Sequence, residues 1–199
     1  MSIKFERESY PGTIDAFWRK EVQMLPGGFT PKQSVPVGEV IQRGALVYVN
    51  FDDMTAALVK VCQVVAGGTT TAPRVSKKNN IFAGDVLMKV GATGASVTVK
   101  SVDRSNSDYD VIEFNKALTG LTAGDYIQEA VADGDSTFKA AYVANAVLGA
   151  DFEMRKSGLP TFDVAYAAIV LKDVCTPFPA EWLNGFTLAT NGNILFIKQ

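Results

Sequence analysis

Two short stretches carry the reading of the fold: Ile81-Phe82-Ala83-Gly84-Asp85-Val86-Leu87 and Leu121-Thr122-Ala123-Gly124-Asp125-Tyr126-Ile127. Each places an apolar residue before Ala-Gly-Asp and two strand-forming residues after it. Glycine enters the left-handed backbone region without a Cβ clash, and the aspartate can accept bonds from nearby backbone N–H groups. Both stretches therefore predict a tight turn that feeds directly into a strand. A similar cue stands at Val37-Gly38-Glu39-Val40-Ile41. Gly-acid turns of this kind recur in small closed β-barrels. Two copies are too few for a solenoid.

Around these turns lie short runs of β-branched and aromatic residues bounded by Gly, Asn, Asp or Ser. They predict strands at Val40-Ile41, Ala45–Val49, Ala56–Val65, Ile81–Val90, Ser96–Val102, Tyr109–Phe114 and Tyr126–Ala130. Gln42-Arg43-Gly44 reads as a turn or bulge between the first two. Lys139–Leu148 is Ala-rich and fits either helix or strand. Phe162, Val164 and Tyr166 alternate within Thr161–Leu171, which reads as a strand. Pro179–Gly185 fits a single helical turn. Asn191-Gly192-Asn193 predicts a turn that closes a hairpin between 186–189 and 194–197, pinning the C-terminal stretch in a sheet. The fold class is mainly β: a small β-barrel or sandwich with few short helices and an extended N-terminal arm.

That arm spans residues 1–37. Asp15–Val22 can form a short capped helix, and Pro26-Gly27-Gly28-Phe29-Thr30-Pro31 then argues against regular structure and reads as a linker. Residues 38–199 form the β-rich body, divisible into a barrel at 38–131 and a C-terminal β portion at 132–199. An aromatic-bearing arm either covers its own domain or docks on a neighbour. Phe17 and Trp18 are its candidate interaction residues, because aromatic side chains dominate interface energetics.

Composition narrows the chemistry. The 199 residues include no histidine, which removes the Ser-His-Asp triad, the Cys-His dyad and histidine-metal motifs. Net charge is -2, from 19 basic and 21 acidic side chains, less basic than a general nucleic-acid binder. Cys62 and Cys175 sit in apolar settings with no C-x-x-C, and read as buried thiols. The first eight residues are mixed and charged, without the apolar core of a signal peptide, and no apolar run reaches membrane-spanning length.

Candidate sites fail in detail. Asp103–Asp110 is dense in oxygen ligands but lacks the glycine and the terminal glutamate of a calcium loop, so a polar turn with Asx-type bonds is expected. Gly67-Gly68-Thr69-Thr70-Thr71 has no lysine in the P-loop position. Arg74, Lys77 and Lys78 form a modest basic cluster without interleaved aromatics. The acid pairs Asp52-Asp53, Asp133 with Asp135, and Asp151 with Glu153 read as solvated turn residues. No catalytic residue, cofactor or metal is expected.

Taken in order, Pro36–Gly44, Ala56–Lys60, Gly67–Val75, Phe82–Asp85, Asp103–Asp110 and Ala123–Asp125 resemble the head fibre proteins of tailed bacteriophages and prophages. Their architecture is similar to that of capsid decoration proteins. The resemblance covers about four-fifths of the chain (residues 36–199). It implies a non-enzymatic virion structural protein, made in the bacterial cytoplasm and attached to the outer capsid surface. The implied partners are further copies of itself, as a homotrimer, and the major capsid protein, with no nucleic acid and no membrane. Loops at 67–80 and 103–110 would face outward, and truncating residues 1–35 would impair attachment or assembly. The alternative is a carbohydrate- or receptor-binding β module.

Overall fold

A computed structural model describes residues 22–135, 137–156 and 158–198. Phe17 and Trp18 lie outside the described residues, as does most of the expected Asp15–Val22 helix. Seventeen strands and two 3-10 turns make up the described chain. In chain order β1 (Gln23–Pro31), β2 (Val40–Ile41), β3 (Leu46–Asn50) and β4 (Thr55–Leu58) lead into β5 (Val61–Val65), β6 (Arg74–Val75) and β7 (Val86–Lys89). Then come β8 (Val97–Asp103), β9 (Asp110–Phe114), β10 (Tyr126–Ala132) and β11 (Phe138–Ala140). The chain finishes with β12 (Ala146–Leu148), β13 (Phe152–Glu153), β14 (Phe162–Leu171), β15 (Leu183–Asn184), β16 (Thr187–Leu188) and β17 (Asn191–Ile197). The protein is mainly β, and among the described residues helix is confined to 3-10 turns at Lys172–Val174 and Ala180–Trp182.

The pairings close two rings. Following β1-β4-β3-β12-β14 and back to β1 gives a five-stranded barrel. Following β5-β6-β9-β8-β7-β10 and back to β5 gives a six-stranded one. Strand alternation fills the first: Val47, Val49, Ala56, Leu58, Ala146, Leu148, Phe162 and Val164 point inward with Phe29. Leu46, Val147, Ala165, Ala168 and Val170 belong instead to an outer apolar layer with Phe178, Ile194 and Phe196. There β14 leaves the ring and pairs in parallel with β17. The second barrel is filled by Cys62, Val64, Val75, Leu87, Val97, Val99, Ile112, Phe114 and Ile127, with Ile81, Leu118 and Leu121 packed in the same cluster.

The turns follow the sequence reading closely. Gly84 and Gly124 adopt φ of 95° and 94°. Asp85 and Asp125 donate their backbone N–H to the carbonyls of Phe82 and Thr122, at 3.2 and 3.1 Å. Each aspartate side chain accepts the N–H of the residue three positions earlier, at 2.8 and 2.7 Å. These are type II turns, whose third position demands a positive φ.

Three expectations need correction. The stretch Gln23–Pro31 is a barrel strand and not a linker, so residue 37 is no domain boundary. Leu25 faces Val164 and Phe29 faces Phe162, which leaves three residues of β1 opposite one of β14. Pro26, Gly27 and Gly28 are absorbed as a bulge, the one setting in which such residues suit a strand. The division near 131 also fails: the six-stranded barrel (61–132) is inserted between β4 and β12 of the five-stranded one, whose strands come from 23–58 and 146–171. Finally, the last hairpin turns at Ala189-Thr190. Asn191 already lies in β17, where its side-chain amide donates to the carbonyls of Asn145 and Tyr166.

Candidate functional site: a polar seam between the barrels

Barrel interiors are apolar, so the polar chemistry collects where the two barrels meet. Phe82, which follows the loop 76–80, is the divider. Lys60 Nζ lies 5.4 Å from its ring centroid and the Arg104 guanidinium 5.2 Å from it. Cations favour the negative face of an aromatic ring.

On the first side Lys60 sits on the two-residue crossing from β4 to β5. Its side chain is only 2% exposed, and its ammonium contacts Asp85 Oδ1 at 2.6 Å and Glu129 Oε1 at 3.4 Å. Gln33 Nε2 donates to the other Glu129 oxygen at 2.7 Å. Burial pushes the Glu129 carboxyl above its ordinary value, opposed by the Lys60 charge and reinforced by Asp85.

On the second side Asp110 is buried. It accepts from Lys77 at 2.6 Å and from Asn79 Nδ2 at 2.8 Å, with Arg104 Nε 3.9 Å away. Arg104 also donates to the Ile81 carbonyl at 2.7 Å and to Glu39 at 3.5 Å. Next to this network opens a cleft of about 250 Å³, lined by Arg43, Lys77, Lys78 and Arg104 together with Glu39 and Asp110. The four cations outnumber the two carboxylates. Lys78 and Asn80 hold positive φ of 61° and 54°, sparsely populated for non-glycine residues. Thr176 and Val174 secure this kink from the neighbouring segment. The Thr176 hydroxyl donates to the Lys78 carbonyl at 2.7 Å, and Lys78 Nζ donates to the Val174 carbonyl at 2.5 Å. Burial lowers the affinity of the Lys78 amine for its proton.

The sequence-derived candidates distribute as follows. The basic trio separates: Arg74 stacks on Tyr109 at 4.5 Å, while Lys77 and Lys78 enter the seam. Asp103–Asp110 is a turn with the expected Asx bonds, Ser105 N–H to Asp103 and Asp108 N–H to Asn106. Gly67 and Gly68 make room for Arg74, since a Cβ on Gly68 would lie 2.4 Å from its backbone nitrogen. Among the described residues no cluster of acidic or thiol groups could hold a metal ion. Cys62 and Cys175 are both buried free thiols in different apolar clusters. Burial pushes the Cys175 thiol up to about 12 and raises Cys62 further, so neither is a ready nucleophile.

Sequence reasoning missed Lys60, Glu129 and Gln33, and took Asp110 only for the end of a polar turn. A single signal was present: Lys60 is the one charge inside the apolar run Ala56–Val65. In comparisons with known proteins, no family model, no curated protein and no solved structure matches the chain.

Proposed function

We propose that the chain is a virion structural subunit, a head fibre or capsid decoration protein that self-associates as a homotrimer and attaches to the major capsid protein. It would be made in the bacterial cytoplasm and act at the virion surface without catalysis. The observation supporting this reading is an exposed apolar patch formed by β1 and the turn between β3 and β4. Leu25, Phe51 and Met54 are 38%, 55% and 40% exposed. Leu25 and Met54 flank Gly28, and Phe51 meets the buried Phe29 edge-on at 5.6 Å. Contiguous exposed apolar surface marks sites of protein association. Phe17 and Trp18 are the proposed interaction residues of the N-terminal stretch.

The test must respect β1. Truncation to residue 35 would remove a barrel strand, so deletion of residues 1–21 is the informative variant. It should keep the barrel fold, lose trimer mass in light scattering and fail to co-sediment with capsids lacking the subunit. Unchanged mass and unchanged capsid binding would overturn the proposal.

A second reading, a carbohydrate- or receptor-binding module, is favoured by the cation-lined cleft, which suits an acidic ligand. Screening an array that includes sialylated and sulfated glycans, with Arg104→Ala as the control, separates the two.

A further inference from the structure

Lys60, Asp85 and Glu129 form a constellation that a salt bridge alone does not require. The Lys60 amine contacts Asp85 Oδ1 at 2.6 Å, which puts the carboxyl carbon one bond further on. Reacting atoms held about 3–3.5 Å apart in one orientation gain effective molarities far above any attainable in solution. The second Asp85 oxygen, Oδ2, accepts the Phe82 N–H at 2.8 Å. Glu129 Oε1 stands 3.4 Å from the same amine, and its carboxyl is fixed from behind by Gln33. The cluster gathers one cation and two carboxyls with little access to water, the lysine side chain being 2% exposed and those of Asp85 and Glu129 13% and 16%.

We propose that Lys60 and Asp85 condense into an intramolecular isopeptide bond, with Glu129 as the proton relay. The ammonium first passes a proton to Asp85 Oδ1, 2.6 Å away, which leaves a neutral amine facing a neutral carboxyl group. Its lone pair attacks Asp85 Cγ, and the C–N bond forms as the carbon becomes tetrahedral. The Phe82 N–H donates to Oδ2 as that oxygen gains negative charge. Glu129 takes a second proton from nitrogen and delivers it to Oδ1. The C–O bond breaks, and Oδ1 departs as water. One ammonium and one carboxylate become one amide and one water, with no other reactant, and Glu129 returns to its starting state. Burial raises the Glu129 carboxyl, the direction a proton carrier needs. The product keeps the Phe82 bond to Oδ2 and replaces a buried ion pair, costly to desolvate, with a neutral amide.

Two other pairs in the same protein serve as controls. Lys89 contacts Asp125 at 2.8 Å across the sister turn, but the lysine is 31% exposed. Lys77 contacts buried Asp110 at 2.6 Å, and is 32% exposed. No second carboxyl within ion-pair distance of either amine is seen among the described residues. Both pairs should stay unreacted.

Intact mass spectrometry of the purified full-length chain, held folded for several days, decides the matter. The expected result is a loss of about 18 Da, the one water released when a positioned amine and carboxyl condense. A tryptic digest should show peptide 44–74, uncleaved at Lys60, joined to peptide 79–89. That linked peptide separates the bond from a succinimide at Asp133-Gly134, which loses the same mass. Glu129→Gln keeps the size and the Gln33 contact and should retain full mass. Lys60→Arg should do the same, and Lys89→Arg should still condense. A folded wild-type chain at full sequence mass without the linked peptide would overturn the proposal, and this measurement needs no variant. Condensation in Glu129→Gln at the wild-type rate would overturn the relay.

Discussion

Gly68 and Gly192 illustrate how local the demands on one residue are. A Cβ on Gly68 would lie 2.4 Å from the Arg74 nitrogen and 2.9 Å from the Pro73 carbonyl carbon, both backbone atoms that cannot swing aside. Gly192 has open space around it. Gly68→Ala should cost about 1–3 kcal/mol, the usual range for overpacking, while Gly192→Ala stays close to wild type in urea denaturation. Glu129 makes a different residue-scale prediction. Its folded carboxyl binds a proton more tightly than the unfolded one, so the folded state holds more protons between the two values. Stability is then lost as pH rises from the unfolded value through the folded one. Glu129→Gln does not titrate and escapes this loss. The melting temperature of the variant relative to wild type should therefore climb between pH 4 and pH 7. A relative fall over that interval would show the carboxyl to be stabilised as an anion.

At the scale of elements, two side-chain amides act as substitute strand partners. Gln33 accepts the Leu58 N–H at 2.6 Å and donates to its carbonyl at 2.8 Å. Asn145 does the same for Val49, at 2.8 and 2.9 Å. Leu58 and Val49 are buried, so removing either amide strands two backbone groups away from water. Gln33→Ala and Asn145→Ala should each cost about 1–3 kcal/mol, the desolvation penalty of unsatisfied groups, measurable by denaturant titration. Neither role was legible in the sequence, because the partners lie 25 and 96 residues away. The type II turns were legible because glycine, aspartate and the N–H that donates to it sit within four consecutive residues. Pro26-Gly27-Gly28 misled for the complementary reason. Local preference disfavours a strand there, and the bulge that admits it is defined only by Val164 and Phe162 across the ladder. Lys60 stood out in its run, but its two carboxyl partners come from other strands and turns. A cluster assembled by barrel closure leaves no contiguous pattern to read.

For the whole molecule, the insertion of one barrel into another is the governing feature. The six-stranded barrel is continuous in sequence and owns a complete apolar cluster. Its first and last strands pair, with Gln128 opposite Val61, so its ends emerge side by side. Closely spaced ends are what make a domain insertable. A fragment spanning residues 59–141 should therefore melt cooperatively by itself, checked by circular dichroism and amide exchange. The complementary barrel, split between 23–58 and 146–171, should not fold from either half alone.

The same topology sets an order of events during synthesis. Gln23 on β1 pairs with Ala167 on β14, which leaves the ribosome about 140 residues later. At roughly 5–20 residues per second, that interval is on the order of ten seconds. Throughout it, β1 and the apolar faces of β3 and β4 wait without the strands that close their ring, while the inner barrel has every strand it needs. The nascent chain should thus carry a finished barrel tethered to an unfinished one. The unfinished part is where a chaperone would bind, and where neighbouring chains could exchange a strand before the ring shuts.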